Sequence, residues 1–423
     1  MRILLFRSLC DTGGVSSSML LLGRHLVSRG VHCEYWFCQS SSRFAEFQEA
    51  GGATLAPLSQ LAPRLKAREF DVVHMTATDP AAELVSRLAG DTRVVVTARG
   101  AIAETWSHTN CHAYTAISKG MAALNQPYTD LEIEVVRNSI DVSRYEPPRQ
   151  RQQGGPIIAF VGRTTAKEKN FPRFTRIAKK LATPGTRVWI ADPHAASWEK
   201  FDEPAVARLD TERWEHVPHA SMPDFYRAVA ASGGVLLITS LSEGFGNVAP
   251  EAAACGARVA APDVIGLREA IVDGLTGKLF PSEATDEQVA RMVDEWLAQP
   301  HDMAACADAT RKEFSPIAMV EGYLRIYERR EQRLRIAAAE RSPDAAELGH
   351  LLTHVESQRV WRARFARDAA VDLAKAGYRR GALDALVIAF RDAPGAFVSR
   401  KAVRQLLSVA LGFATPRRVK RTH

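Results

Sequence analysis

The residues best suited to chemistry lie in one segment, Thr239 to Phe280. This segment follows the apolar run GGVLLITS, turns through Ser-Glu-Gly-Phe-Gly at residues 242–246, and enters a small-residue stretch near Pro250. A strand, a glycine-bearing loop and a helix start together present unpaired backbone N–H groups and the positive end of a helix dipole. Proline suits the first helical turn, where its missing N–H costs nothing. The pattern predicts a loop that binds an anion.

Two cations behind an earlier apolar run could reach the same anion. Arg163 follows the run IIAFVG, and Lys169 lies six residues later. A planar guanidinium fork and a mobile ammonium both suit phosphate oxygens. The alternatives are ordinary surface charges for these two residues, a solvated turn for Glu243, and a helix-dipole role for Glu251. We favour a functional role because a buried strand aims the two cations.

Short apolar runs alternate with amphipathic stretches from residue 2 to about residue 150. The runs are RILLF, HCEYWFC, FDVVHM, RVVVTA and AYTAIS, and a helix is predicted over Ser16 to Arg29. Short buried strands joined by crossover helices are typical of a parallel sheet. We therefore predict an N-terminal Rossmann-like domain over residues 1–150.

A second domain of the same kind is predicted over residues 151–313. The stretch Glu146 to Pro156 is polar, contains Pro and Gly, and lacks periodicity, as interdomain linkers do. The alternation then restarts with IIAFVG, TRVWIAD, GGVLLITS and ARVAAPD. Two such domains in tandem form a cleft at the carboxyl ends of their strands, where open α/β sheets bind ligands. The predicted fold class is α/β.

The rest of the chain is predicted to be helical. Residues 314–340 form a closing helix, expected over Ser315 to Ala339, in which Met319, Tyr323 and Tyr327 repeat at the four-residue spacing of core packing. Residues 341–423 form a helical extension with 16 Lys and Arg against 7 Asp and Glu, a net charge of +9 that leaves −2 for the remainder. A near-neutral body argues against nucleic acid as a partner, and the basic end indicates a patch for phosphates.

The end of the chain carries two further patterns. Residues 377–394 resemble the second half of a tetratricopeptide repeat, but one half-repeat cannot form a solenoid, so we predict a capping helical hairpin. Residues 399–413 then place one apolar helical face beside leading cations: Val403, Leu406, Leu407 and Ala410 beside Arg400, Lys401 and Arg404. Such an end can lie on an anionic membrane, each cation contributing about 1 kcal/mol, or it can pack on the protein. Membrane association is our working hypothesis.

Composition excludes several classes of protein. The 423 residues are 46% apolar and 24% charged, close to globular averages, and no apolar run approaches the ~18 residues of a membrane span. Arg7 interrupts the first apolar run and no small-residue cleavage site follows, so we predict a strand instead of a signal peptide. Six scattered cysteines without a Cys-x-x-Cys pair favour a reducing cytoplasm. Neither an Asp-x-Asp pair nor a metal-ligand spacing indicates a metal site.

The anion-binding segment belongs to an ordered set of motifs. Seven residues separate Glu243 from Glu251 within S-E-G-F-G…P-E-A…G. The other members are Gly13-Gly14, Asp71-Val-Val-His74, Asn138-Ser-Ile-Asp141, FVGRTTAKEKNF with Arg163 and Lys169, Gly266…Glu269, Asp273-Gly274…Gly277, and Phe314 to Tyr327. Over most of residues 1–335 this set resembles the retaining glycosyltransferases of the GT-B fold, family 4.

The resemblance implies a nucleotide-diphosphate sugar as donor. Arg163 and Lys169 are expected to contact its diphosphate, Glu251 to accept hydrogen bonds from the ribose hydroxyls, and Glu243 to hold the transferred sugar. Glu243, Arg163 and Lys169 are the expected catalytic residues. The expected donor-binding residues are Gly162, Arg163, Lys169, Gly244, Phe245, Gly246, Asn247 and Glu251. On the acceptor side the resemblance implies Gly13, Gly14, His74 and Arg99.

The resemblance also implies how the reaction proceeds. Retention would follow from a same-face, short-lived ion pair in which the leaving phosphate helps to deprotonate the acceptor hydroxyl. Cationic side chains and helix ends would replace a metal ion, and no cofactor is expected because the donor is a co-substrate. The sequence nominates no carboxylate as a covalent nucleophile.

Several assignments have structural alternatives. Gly13-Gly14 could be only a tight strand-to-helix turn, and His74 could be a satisfied core histidine. For Asn138 and Asp141 we favour a turn after the strand IEVVR over a functional role.

The chain departs from the family pattern at three places. Arg99 stands where the family commonly has a histidine, either as a fixed charge near the sugar or acceptor or without a role. His108 and His112 could substitute for that histidine or lie in a solvent-facing loop. Asn170 replaces the usual glycine after the lysine, and Ile265-Gly266 replaces a Gly-Gly pair.

We therefore predict a metal-independent, retaining hexosyltransferase. The donor is a UDP-sugar by preference, the acceptor is a glycan, glycolipid or small molecule, and the setting is cell-envelope polysaccharide biosynthesis in the cytoplasm or at the inner face of the plasma membrane. The alternative is a nucleotide-sugar-binding or scaffold protein without turnover, with partners on the helical tail; Arg99 supports it. A two-domain nucleotide-sugar epimerase is a third interpretation.

Overall fold

A computed structural model describes most of the chain. The described residues are 1–11, 13–40, 43–100, 111–129, 131–152, 154–192, 210–215, 217–329 and 349–394. They form two parallel-sheet α/β domains followed by a helical hairpin, which confirms the predicted fold class. Among them, no helix is long and apolar enough to cross a membrane.

The N-terminal domain is a parallel sheet of seven described strands in the order β5-β3-β1-β6-β7-β8-β9. Its strands are β1 Arg2–Phe6, β3 His32–Phe37, β5 Ala53–Leu55, β6 Val72–Thr76, β7 Arg93–Ala98, β8 Ala113–Ala116 and β9 Ile133–Val135, and β2 Leu9–Cys10 pairs with β4 Gln39–Ser40. Its helices are α1 Gly14–Ser28, α2 Phe44–Glu49, α3 Leu58–Lys66, α4 Ala82–Leu88 and α5 Lys119–Asn125. Every residue of β6 and β7 is buried, as near-continuous apolar strands under helices on both faces must be.

The C-terminal domain repeats this design with six described strands in the order β12-β11-β10-β13-β14-β15. They are β10 Ile157–Val161, β11 Arg187–Asp192, β12 Asp210–Glu215, β13 Val235–Leu237, β14 Arg258–Pro262 and β15 Lys278–Phe280. The helices are α6 Phe171–Leu181, α7 Met222–Ala231, α8 Val248–Ala254, α9 Leu267–Ala270, α10 Asp286–Leu297 and α11 Met303–Phe314. Strand order reverses between β10 and β13, so the loops after these strands flank a crevice.

Helix α12, Pro316–Glu328, returns to the N-terminal domain. The Tyr323 and Tyr327 rings stack 5.9 Å apart in its core, and Arg93 Nε donates to Ile326 O over 2.9 Å. The predicted core role of this aromatic stripe is confirmed. The helix ends at Glu328, where Arg329 has extended torsions (φ −66°, ψ 143°), so it does not run on unbroken as predicted. Residues 330–339 of the predicted helix lie outside the described residues.

The predicted helical hairpin consists of α13, Gly349–Lys375, and α14, Arg379–Asp392. It packs on α3 and α4 of the N-terminal domain, where Asp372 Oδ2 accepts a hydrogen bond from Ser59 N over 3.2 Å. A Cβ added to Gly381 would lie 2.9 Å from Leu88 Cδ2, so glycine permits close helix packing. The predicted cationic helix at 399–413 and the basic end lie outside the described residues.

A buried ion cluster fastens α14 to α4. The Glu83 side chain is 6% exposed, and its two oxygens lie 3.1 and 2.8 Å from Arg391 nitrogens. Arg391 Nε also lies 3.0 Å from Asp392 Oδ1, and Arg362 Nε lies 3.0 Å from Asp392 Oδ2. Removing Glu83 leaves Arg391 with Asp392 as its acidic partner.

We expect Glu83→Ala to lower the local stability of the hairpin by about 2 kcal/mol, because Arg391 loses its contact with a buried carboxylate and keeps only Asp392. Hydrogen exchange across α14 measures this loss. The control is Glu321→Ala, whose carboxylate is 51% exposed and 3.6 Å from Arg29; we expect a loss below about 1 kcal/mol. Equal effects of the two variants would contradict the account.

Candidate functional site

The centre of the site is an ion pair between two loops of the C-terminal domain. Lys169 ends a short turn after β10, and Glu243 lies in the turn after β13. Lys169 Nζ lies 2.5 Å from Glu243 Oε1, and the Ser240 hydroxyl donates to the same oxygen over 2.8 Å. The charged side chains are only 19% and 13% exposed. The structure thus brings together a lysine and a glutamate that the sequence analysis selected, each compensating the other's charge.

Hydrogen bonds to backbone carbonyl oxygens hold the two loops together. Thr239 Oγ1 donates to the carbonyl oxygens of Lys169 and Asn170, each over 3.1 Å. Leu241 N donates to Glu168 O over 2.8 Å. Asn170 has φ 48°, a left-handed conformation that asparagine tolerates better than most other residues with a side chain. Asparagine therefore meets the backbone requirement that a glycine would meet there.

Arg163 lies at the exposed rim of the same loop. Its Nη2 is 2.5 Å from Glu168 Oε1, and its side chain is 52% exposed. Gly162 precedes it with φ 149°, and a Cβ added there would lie 3.4 Å from Lys169 Cδ. Arg163 is therefore accessible to an incoming anion, whereas Lys169 must first leave Glu243.

Asp192 supports the loop and was missed by the sequence analysis. It ends β11 with no exposed surface, and its Oδ2 accepts hydrogen bonds from Thr164 N and Oγ1 over 2.8 and 2.5 Å. A fully buried carboxylate needs such donors. The available signal was the acidic residue that ends the apolar run TRVWIAD.

Two glycines near Glu243 leave no space for a side chain. A Cβ on Gly244 would lie 2.1 Å from Arg99 O of the N-terminal domain, and a Cβ on Gly266 would lie 2.3 Å from Glu243 O. Gly266 also has φ 84°, which favours glycine. In the pair Ile265-Gly266, Gly266 is therefore a glycine that the local packing requires.

The residues that come after Gly244 in the loop divide between the core and the cleft. The Phe245 side chain is 2% exposed and packs edge-on against Phe314, with ring centroids 5.9 Å apart. Gly246 has φ 85°, and Asn247 Oδ1 accepts a hydrogen bond from Asn138 Nδ2 over 2.7 Å. The Phe245 side chain therefore anchors the loop in the core. Only the backbone of this residue is left to contact a ligand.

A hydrogen-bond chain joins Asn247 to the N-terminal domain. Ser18 Oγ donates to Asn138 Oδ1 over 2.8 Å, next to the bond between Asn138 and Asn247. A Cβ on Gly14 would lie 3.4 Å from Asn247 Nδ2, so the first glycine loop faces the loop after β13. Asp141 accepts a bond from the serine two residues later, as in the predicted turn. The predicted turn role of Asn138 is incomplete, because its side-chain amide also donates to Asn247 of the other domain.

An ion pair that the sequence analysis missed shapes the first glycine loop. Gly13 N donates to Asp11 Oδ1 over 3.0 Å, and Arg7 lies 3.1 and 3.2 Å from the two Asp11 oxygens. Burial would raise the pKa of Asp11, but the charge of Arg7 and the hydrogen bonds outweigh burial and lower it. The Gly13 N–H is thus already bonded within its own turn, as in the structural alternative given for Gly13-Gly14.

Glu251 lies in a pocket between the domains. It is 8% exposed, its Oε2 accepts from Tyr226 OH over 3.1 Å, and its Oε1 lies 3.9 Å from His219 Nε2. Burial and the nearby Glu251 charge raise the pKa of Tyr226 and Tyr145 well above the usual value, so both phenols remain protonated. Both domains line the pocket, with Ser17, Arg24 and Arg43 from one and Asn247 and Glu251 from the other.

His74 does not join this set. Its Nδ1 lies 2.6 Å from Tyr327 OH and its Nε2 lies 2.7 Å from Thr97 Oγ1, and the residue is 3% exposed. Burial, with the charge of Arg99, lowers the pKa of His74 well below the usual value. These contacts match the alternative of a satisfied core histidine, because both ring nitrogens are already used.

Arg99 lies at the domain interface, 6% exposed, with its carbonyl against Gly244. Its backbone carbonyl therefore contacts the loop after β13. His112 Nδ1 accepts a hydrogen bond from Val94 N over 2.9 Å, which ties this ring to the edge of β7. His108 lies outside the described residues.

Glu269 joins the domains at a second place. Its carboxylate oxygens accept from Lys119 N and Gly120 N, each over 2.8 Å, at the start of α5. Ser118 Oγ donates to Gly244 O over 3.3 Å beside it. In the sequence Glu269 stands out only as part of a motif, since nothing local identifies its partner Gly120, which lies 149 residues earlier.

The assembled groups suit a ligand with phosphates and hydroxyls. Arg163 and Lys169 supply positive charge, Glu243 and Glu251 accept hydrogen bonds, and the turn after β13 supplies backbone amides. Within the described ranges, no group of three or more His, Cys, Asp and Glu side chains is arranged to hold a metal ion.

Comparison with known families decides the assignment. The family model described as Glycosyltransferase Family 4 matches residues 12–144, and the one described as Glycosyl transferases group 1 matches residues 142–313. The chain belongs to the family 4 glycosyltransferases of the GT-B fold. The two matches run consecutively through both domains of this family 4 glycosyltransferase, so the resemblance seen in the motifs is confirmed.

Curated relatives share parts of the chain. A D-inositol 3-phosphate glycosyltransferase of Gordonia bronchialis is 37% identical over 239 residues, which cover 51% of this chain and 50% of the relative. An alpha-maltose-1-phosphate synthase of Mycolicibacterium smegmatis is 27% identical over 249 residues, which cover 51% and 62%. The chain spans about half the length of the D-inositol 3-phosphate glycosyltransferases that it matches.

Solved structures share the fold. Anabaena HepE in complex with UDP and glucose superposes with a TM-score of 0.64 at 16% identity, covering 77% of this chain and 99% of that one. Sucrose-phosphate synthase from Thermosynechococcus elongatus gives 0.60 at 16% identity, covering 77% and 98%.

We expect Glu243→Gln to tighten pyrophosphate binding several-fold, because the carboxylate competes with a diphosphate for Lys169. We expect Lys169→Met to weaken pyrophosphate binding by about tenfold or more. Titration calorimetry measures both. Lys167→Met, in the same turn and exposed, is the matched control and should bind pyrophosphate like the parent. If Glu243→Gln weakened pyrophosphate binding, the competition would be refuted.

Acidification tests the placement of His74. An unfolded histidine takes up a proton near its ordinary pKa, whereas the folded His74, with its lowered pKa, does not. Folding stability contributed by His74 is therefore fully present above about pH 6.5 and falls as the pH drops below it, by up to about 1.4 kcal/mol per pH unit. Urea unfolding from pH 7 to pH 5 should show a smaller loss for His74→Gln than for the parent. An identical pH dependence in both would place His74 outside the core network.

Proposed function

We propose that this family 4 protein is a metal-independent, retaining glycosyltransferase that moves a hexosyl group from a nucleotide-diphosphate sugar to an acceptor hydroxyl. The observation that carries the proposal is the contact between Lys169 and Glu243, 2.5 Å apart at the carboxyl ends of β10 and β13. A phosphate ligand and a sugar ligand would each find a complementary group at that contact.

The donor would exchange partners at this ion pair. Its diphosphate takes the ammonium of Lys169 and adds the accessible guanidinium of Arg163. Released from the lysine, Glu243 accepts hydrogen bonds from the hydroxyls of the transferred sugar, and Glu251 accepts those of the ribose. Both oxygens of Glu243 then serve the sugar in place of a salt bridge.

Catalysis would rest on the charge that grows as the glycosidic bond breaks. The leaving diphosphate gains negative charge in the transition state, so cations that already touch it stabilise that state more than the ground state. The same-face attack and the deprotonation of the acceptor by the leaving phosphate are carried over from the family resemblance.

Acceptor and donor preferences follow from the relatives. HepE was solved with UDP and glucose, which supports our preference for a UDP-sugar. The relatives named for inositol 3-phosphate and for maltose-1-phosphate favour testing phosphorylated small molecules beside glycans and glycolipids. A setting in cell-envelope polysaccharide biosynthesis, in the cytoplasm with the basic tail on an anionic membrane, completes the proposal.

The second candidate is a nucleotide-sugar-binding or scaffold protein without turnover. The observation that favours it is Arg99, which stands in place of the usual histidine and is buried at the domain interface. Such a protein would bind a donor and release it unchanged.

The test is donor turnover by the full chain. Thermal-shift screening against UDP-, GDP-, ADP- and dTDP-sugars first identifies the donor, since a ligand at 100 times its Kd stabilises the folded state by about 2.7 kcal/mol. With that donor we expect hydrolysis or transfer by the parent protein, and a loss of roughly 100-fold or more in Glu243→Ala and Arg163→Ala, because each removes a contact to the reacting donor. Lys167→Ala is the exposed control.

Three outcomes separate the interpretations. Release of free nucleoside diphosphate supports transfer. Binding without turnover supports the scaffold protein, and a product that is still a nucleotide sugar identifies an epimerase.

A further inference from the structure

His219 lies in the pocket between the domains, and a guanidinium group holds it there. It begins the short turn His219–Ser221 that precedes α7. Arg144, in the segment that joins the two domains, has its Nη1 2.7 Å from His219 Nδ1, and its Nη2 donates to the His219 carbonyl oxygen over 2.9 Å. Both residues line the same pocket as Glu251. One arginine therefore fixes both the ring and the backbone of this histidine.

The contact with Arg144 determines which nitrogen of the His219 ring carries the proton. A guanidinium group has only N–H donors and stays charged in proteins, so the nitrogen that faces it has to accept. Nδ1 is therefore without a proton, and the imidazole is neutral with its N–H at Nε2. A doubly protonated ring would turn a second N–H against the guanidinium charge.

The Nε2–H group of His219 faces the carboxylate of Glu251. Nε2 lies 3.9 Å from Glu251 Oε1, which is too long for a hydrogen bond. The other carboxylate oxygen accepts from Tyr226 OH over 3.1 Å. The His219 and Glu251 side chains are only 20% and 10% exposed. A donor and an acceptor thus stand next to each other in a largely enclosed pocket without forming a bond between them.

A hydroxyl group is the ligand chemistry that complements this pair. A hydroxyl donates one proton and accepts through the lone pairs of its oxygen, whereas a carboxylate can only accept. A hydroxyl held by Glu251 alone would therefore lose water from its oxygen without gaining a donor in return, which is costly in an enclosed site. His219 supplies the missing donor from the adjacent position.

We infer that His219 is a specificity residue for the ribose of the donor nucleotide: its Nε2–H donates to a ribose hydroxyl that in turn donates to Glu251. Arg144 is a positioning residue, because it acts on the nucleotide only through the ring of His219. The inference rests on the proposed function, which assigns the ribose hydroxyls to Glu251, and it deepens that assignment. The pair selects nucleotides that carry this hydroxyl over analogues that lack it.

The experiment is titration calorimetry of the full chain with UDP, 2′-deoxy-UDP and 3′-deoxy-UDP, or with the corresponding forms of GDP or ADP if the thermal-shift screen selects one of these. In the parent we expect at least one deoxy analogue to bind about tenfold or more weaker, because the donor and the acceptor both lose their partner. His219→Leu should weaken UDP about fivefold, the effect of one hydrogen bond, and should leave that analogue nearly unchanged. A histidine needed only for folding would weaken all three nucleotides equally.

Two further variants separate the hydrogen bond from packing. His219→Gln, whose side-chain N–H₂ reaches the place of Nε2, should recover most of the preference for UDP that His219→Leu loses. Arg144→Met frees Nδ1, so the proton can occupy either ring nitrogen, and the preference should fall although the histidine is present. The matched control is His32→Leu, at an exposed residue that begins β3, which should bind all three nucleotides like the parent.

The tautomer can be read without any ligand. Nitrogen chemical shifts of histidine-labelled protein, with the His219 signal assigned by its loss in His219→Gln, should show the parent ring protonated at Nε2 alone. In Arg144→Met the same signal should report a mixture of forms. These spectra require no nucleotide and therefore test the role of Arg144 independently of the proposed function.

Three results would overturn the inference. They are equal binding of UDP and both analogues by the parent, an equal loss for all three nucleotides in His219→Leu, and a free parent whose His219 is protonated at Nδ1. Failure of the proposed function gives a different result: the preference for the hydroxyl is intact, but no UDP-sugar is turned over. Absence of binding by every nucleoside diphosphate would overturn both.

Discussion

The site depends on two opposite charges held in contact at low exposure. Lys169 and Glu243 come from loops 74 residues apart and meet at 2.5 Å. A charge in such a place must be paired, because removing one partner of a buried pair costs several kcal/mol. The surrounding backbone serves this contact: the left-handed Asn170, the Thr239 hydroxyl and the crowded Gly266 each fix one of the two loops. A ligand that enters must therefore replace each charge with another partner, as a diphosphate sugar can.

The second constraint is that both domains build the crevice walls through close contacts of backbone and side chains. Arg99 O lies against Gly244, Asn138 reaches Asn247, and Glu269 binds the amides that begin α5. A larger separation of the two domains would break these contacts. The loop after β13 carries both Glu243 and Gly244, so the ion pair and one of these interdomain contacts lie on the same loop.

The sequence predicted what depends on local pattern. Continuous apolar runs such as RVVVTA became buried parallel strands, and the tyrosine spacing of α12 became core packing. It missed β12, whose sequence DTERWE is mostly polar, because edge strands need little burial. It could not place His74, since only the fold brings Tyr327 and Thr97 to the two ring nitrogens. Partners distant in the chain, such as Asp192 for Thr164, leave only weak local signals.

The most direct measurement is a crystal structure of the full chain with UDP bound. The account predicts that Lys169 Nζ moves to a diphosphate oxygen, within about 3 Å, and separates from Glu243 beyond hydrogen-bonding distance, while Arg163 turns to the same diphosphate. A structure in which the nucleotide is bound and Lys169 still contacts Glu243 would contradict it.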